Sequence, residues 1–145
     1  LMEPRFVWDT RGVGDGRYGL RVTACDDPSN PPAAARSASR VSEPFLIDNT
    51  APLVKDLAAK LAGAAAAVTG LAEDAGSRVE SIAYAVDSQE KWTAVLPSDG
   101  ICDSGREKFA FEVKDLPVGT HRIAVRVEDI FGNVGFGAVT VTVGK

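Results

Sequence analysis

A chain of 145 residues, 45% apolar and 25% charged, has the composition of an ordinary soluble domain and the length for one full domain, or one and part of another. A net charge of −4 with Lys and Arg scattered singly offers no basic face for a row of phosphates, which argues against nucleic-acid binding. The longest apolar-looking tract, Ala64 to Val68, is bounded by Gly63 and Gly70, too short for membrane insertion.

The chain opens on Leu1-Met2-Glu3-Pro4, with no basic and apolar run of the signal-peptide kind. It enters its first strand almost at once, so residues 1–145 are expected to be the C-terminal piece of a longer protein. Residues 6–10 read as a short strand with Trp8 as its inward anchor, followed by a glycine-rich turn over 12–16. Residues 18–24 alternate with period two, setting Tyr18, Leu20, Val22 and Ala24 on one face and Arg21 and Thr23 on the other. One face buried and one wet is an antiparallel habit. Residues 26–44 are too broken by proline for helix and read as loop, and 44–48 as the next strand. Asn49-Thr50-Ala51-Pro52 forms a joint that stops it.

Residues 53–76 set local propensity against position. The alanines, with Leu53, Leu57, Leu61, Val68 and Leu71 near helical spacing, favour a helix; Gly63 and Gly70, the lack of an N-cap, and the place in the chain favour two strands, over 53–59 and 64–72. Strands are the reading adopted, with helix as the alternative. Beyond them, 81–87 alternates with Ile82, Tyr84 and Val86 inward, 92–96 is a short strand, 97–107 a loop, and 108–114, 121–128 and 137–143 complete the set. About seven short strands punctuated by turns make an all-β, Ig-like or fibronectin type III-like antiparallel sandwich.

The chain also repeats itself. Residues 109–133 overlie residues 6–30 without a gap: Phe111 falls on Trp8, Gly119 on Gly16, His121 on Tyr18, Val125 on Val22, Asp129 on Asp26 and Asn133 on Asn30. Residues 1–49 therefore read as the last three strands of an incomplete Ig-like module, and 50–145 as a complete sandwich. The strands of the first copy cannot bury their inner face unaided and need a partner sheet: upstream sequence, the second domain, or another copy of the chain.

Leu116-Pro-Val-Gly-Thr-His121 and Val13-Gly-Asp-Gly-Arg-Tyr18 resemble the corner between the fifth and sixth strands of fibronectin type III and related bacterial Ig-like domains. Tyr84-Ala-Val-Asp87 with Trp92 and Asp129-Ile-Phe-Gly-Asn133 is similar to modules that follow β-propellers or enzyme domains in large bacterial extracellular proteins, and Asp48-Asn-Thr-Ala-Pro52 resembles the joint of tandem arrays. The resemblance implies a structural, accessory or interaction module placed outside the cell, on its surface or in the periplasm, whose partners are neighbouring domains of the same chain. At such a corner the Tyr18 hydroxyl is expected to bond back to the turn's backbone, and His121 to offer a similar bond.

Chemistry is sparsely provided for. The single histidine has no nucleophile at a recognisable spacing, so neither catalytic nor cofactor-binding residues are assigned and the chain is read as no enzyme. Asp74, Asp87, Asp99, Asp103 and Asp115 sit at strand ends and turns, where Asp serves the backbone. Asp26, Asp27, Asn30, Asp48 and Asn49 gather oxygens that Ca²⁺ favours, but without a Ca²⁺-loop motif they read first as turn residues, and no metal ligand is assigned. Cys25 and Cys102 are either a bridge or, more simply, two free thiols. The rival function is carbohydrate binding or adhesion through Trp92, Phe131 and Phe136, against packing of Trp92 on Tyr84 and of Phe131 as a cap on the core.

Overall fold

The computed structural model describes residues 5–27 and 29–145, which divide between Asp48 and Asn49 into two compact units. In the first unit β1 (Gly16–Tyr18) pairs antiparallel with β4 (Phe45–Ile47), and β2 (Arg21–Cys25) with β3 (Ser37–Val41). Residues 6–10, expected as a strand, form none. Trp8 is 43% exposed and meets Phe45 edge-on at 6.5 Å instead of anchoring a core. β3 lies in the stretch read as loop. Its Ser-Ala-Ser-Arg-Val carries no apolar alternation, so the ladder with β2, rather than burial, defines it.

The second unit is a sandwich of two antiparallel sheets. One has the order β11-β10-β7-β8, from Val134–Val143, Gly119–Asp129, Val79–Val86 and Thr93–Val95. The other has the order β5-β6-β9, from Leu53–Ala62, Ala65–Glu73 and Arg106–Val113. The alanine tract is thus strand, and its burial shows why: Ala66, Val68 and Ala72 point inward with no exposure, while Ala67 and Thr69 face solvent. Alanine on an inner face leaves room for large partners, and Phe109 fills it at 2% exposed.

The core gathers inward residues from both sheets. Ala72 and Phe109 pack with Val79, Ile82, Val125 and Val127; Ala66, Val68 and Val113 pack with Ile123, Val141 and Val143. Tyr84 of β7 stacks on Phe111 of β9 at 4.3 Å, tying the two layers. Close approach between β5 and β11 depends on Gly135, where a Cβ would overlap the Pro52 carbonyl oxygen.

The two hairpins share a pairing pattern. β1 pairs Gly16 with Ile47 and Tyr18 with Phe45, as β10 pairs Gly119 with Val143 and His121 with Val141. β2 and β3 then pair antiparallel in a two-stranded sheet of their own, with Ala24 opposite Ala38. The loop between the paired strands is the chief difference: Asp26 to Arg36 in the first unit, Ile130 to Asn133 in the second.

Candidate functional site

The corner before β10 is built around His121, buried at 9% exposure. Its Nδ1 lies 2.6 Å from Asp87 Oδ2 and its Nε2 2.8 Å from the Pro117 carbonyl oxygen. Both neighbours are acceptors, so the doubly protonated ring satisfies both at once. The Asp87 bond, then that of Pro117, raises the histidine above its ordinary pKa of 6.5, while the His121 bond, then the Arg122 amide, lowers Asp87. Asp87 Oδ1 accepts from that amide at 2.8 Å.

The corner before β2 makes a comparable bond with different chemistry. Tyr18 donates its hydroxyl to the Gly14 carbonyl at 2.6 Å, four residues back, as Pro117 is four back from His121. Gly16 and Gly119 hold matching positive φ of 152° and 136°, a region that favours glycine. After the second strand Asn30 Nδ2 donates to Asp26 Oδ2 at 2.8 Å, and Asn133 Nδ2 to Asp129 Oδ2 at 2.8 Å. His121, with both nitrogens engaged, ties this corner to the residue that follows β7.

Of the five turn carboxylates, Asp74, Asp87 and Asp99 accept from backbone amides. Asp74 Oδ1 accepts from the Gly76 and Ser77 amides at 2.9 and 2.6 Å, and Asp99 Oδ1 from Ile101 at 3.2 Å. Asp26 serves its own loop, accepting from the Arg36 amide at 2.6 Å. Asp48, 3% exposed, follows β4. What sequence reasoning missed is depth: Asp74 is 8% and Asp129 1% exposed, because their turns fold back onto the end of the sandwich. Glu107, 3% exposed, likewise accepts from the Asp103 and Ser104 amides at 2.9 and 2.8 Å.

Cys25 and Cys102 are both free. Burial first, then Glu107, raises the Cys102 thiol, which makes it a poorer nucleophile at neutral pH. Trp92 does not pack on Tyr84. It meets Phe136 at 6.1 Å with the ring planes 49° apart, and the Arg126 guanidinium carbon stands 4.6 Å from its centroid. Phe131 is 45% exposed and caps no core.

Neither a family model nor a curated protein matches the chain. Among solved structures it is similar to the PKD1 domain of the metalloprotease PrtV from Vibrio cholerae. That likeness has 14% identity over 66% of this chain and 100% of that one, with a TM-score of 0.49. It is also similar to the sulfane dehydrogenase SoxCD from Paracoccus pantotrophus, at 18% identity over 49% of this chain and 18% of that one, with a TM-score of 0.42. The fold itself is an all-β, Ig-like antiparallel sandwich.

Proposed function

We propose that this chain is a non-catalytic spacer or interaction segment of a large exported bacterial protein, built from tandem Ig-like modules. Residues 1–49 are the C-terminal part of one module and 50–145 the whole of the next. One observation carries the reading: the first unit reproduces the register, corner bond and Asp-Asn turn of the β10–β11 hairpin. Its apolar side nevertheless stays open, with Leu20 46%, Val22 61% and Val41 63% exposed. A hairpin with that face bare is unstable alone, and strands equivalent to the missing ones would cover it. The parent sits outside the cell, on its surface or in the periplasm, and its neighbouring domains are the partners.

Carbohydrate binding has less support. Sugar rings stack on flat, accessible faces, whereas Trp92 and Phe136 are tilted and Arg126 lies over Trp92. A glycan array separates the two readings: the spacer predicts no retained sugar. Retention lost in Trp92→Ala and in Phe136→Ala would replace it with the adhesion reading.

A further inference from the structure

At one end of the sandwich, where β6 gives way to a turn and β10 ends, two buried carboxylates approach each other. Oxygens of Asp74 and Asp129 lie within 4.8 Å, and neither residue makes an ion pair among the described residues. Asp129 is fully engaged with its turn: Oδ1 accepts from the Phe131 and Asn133 amides at 2.8 and 3.0 Å, and Oδ2 from Asn133 Nδ2 at 2.8 Å. Asp74 is only half engaged. Its Oδ1 takes the Gly76 and Ser77 amides and the Ser77 hydroxyl, the last at 3.3 Å, while Oδ2 is buried with no hydrogen-bond partner.

A buried carboxylate oxygen without a donor is costly, and a second carboxylate nearby adds like-charge repulsion. A divalent cation removes both costs. The donors are hard oxygens with no imidazole or thiolate among them, which selects Ca²⁺ over Zn²⁺. We propose that Asp74 and Asp129 hold a Ca²⁺ ion at this end of the sandwich, with water and backbone carbonyl oxygens completing its shell. By bridging the two turns the ion fixes the end of β6 to the end of β10, one strand from each sheet.

The test is calorimetric titration and thermal unfolding of the chain, stripped with EDTA and then given CaCl2 alone. The expected result is saturable binding, with a dissociation constant on the order of 10⁻⁴–10⁻³ M as in extracellular modules, and a raised unfolding midpoint. Asp74→Asn keeps the acceptor for Gly76 and Ser77 and gives the lone position a donor. It should fold with an unfolding midpoint in EDTA no lower than the parent's, yet bind Ca²⁺ at least about tenfold more weakly. Glu112→Gln removes the same charge from an exposed position and should respond to Ca²⁺ like the parent. No saturable response at about ten times that concentration range, an Asp74→Asn variant that binds as the parent does, or an equal response to MgCl2 would each overturn the proposal.

Discussion

Tyr18 and His121 show how little chemistry a corner requires and how differently it can be supplied. Each reaches back four residues to a carbonyl that the sharp turn would otherwise leave without a donor. The phenol does so at any ordinary pH; the imidazole is tied to Asp87 as well and so brings a titration. Because His121 is raised above 6.5, its contribution to stability is complete below that value and fades as pH climbs through the folded pKa. Asp87 is lowered below 3.8, so its contribution holds above that value and fades as pH falls through its folded pKa. The pair therefore contributes most between the two ordinary values. As the chain's single histidine, His121 gives one imidazole signal by NMR. That signal should titrate above 6.5 in the parent and closer to it in Asp87→Asn; a midpoint below 6.5 in the parent would refute the pairing. Asp129, buried with three accepted bonds, makes a simpler prediction: Asp129→Ala strands two amides and should cost about 2–4 kcal/mol in urea unfolding.

At the level of strands, the alanine tract shows why propensity is a weak guide. Its alanines and leucines suit a helix, but β5 and β6 form because alternate small residues leave space for Phe109 and Phe111 of β9. Phe109→Ala should therefore open a cavity no neighbour can fill and cost about 3–5 kcal/mol by chemical denaturation. Gly135→Ala should cost at least about 3 kcal/mol for the opposite reason, since its Cβ would force β11 away from the Pro52 backbone. A loss under about 1 kcal/mol in either variant would show that the sheets are not packed as described.

The strands legible in the sequence were those whose two faces differ in polarity, such as β7, β9 and β10. β3 was not legible because all five of its residues are exposed, and a strand with two wet faces leaves no period to read. Residues 6–10 misled for the converse reason: Phe6, Val7 and Trp8 have strand composition, yet they are 82%, 74% and 43% exposed. Composition cannot supply a pairing partner. The turn role of Asp74 and Asp129 was readable from their positions, but their burial and mutual approach come from the two sheets meeting and leave no local mark.

For the molecule as a whole, the exposed face of Leu20, Val22 and Val41 is the feature with the largest consequence. Left bare, it should drive weak self-association, visible as a concentration-dependent sedimentation coefficient that Val22→Glu with Val41→Glu abolishes; both positions lie in the first unit, so the sequence of the second is untouched. Amide exchange tests the proposed tandem reading most directly, in this chain and in one to which strands equivalent to β5, β6, β7 and β9 are joined ahead of residue 1. Amides of β6, β7, β9 and β10 should be slow in both, and those of β2 and β3 fast in residues 1–145 as a monomer but slow in the longer chain. Slow exchange of β2 and β3 already in monomeric 1–145, or fast exchange in both, would contradict a hairpin awaiting the rest of its module.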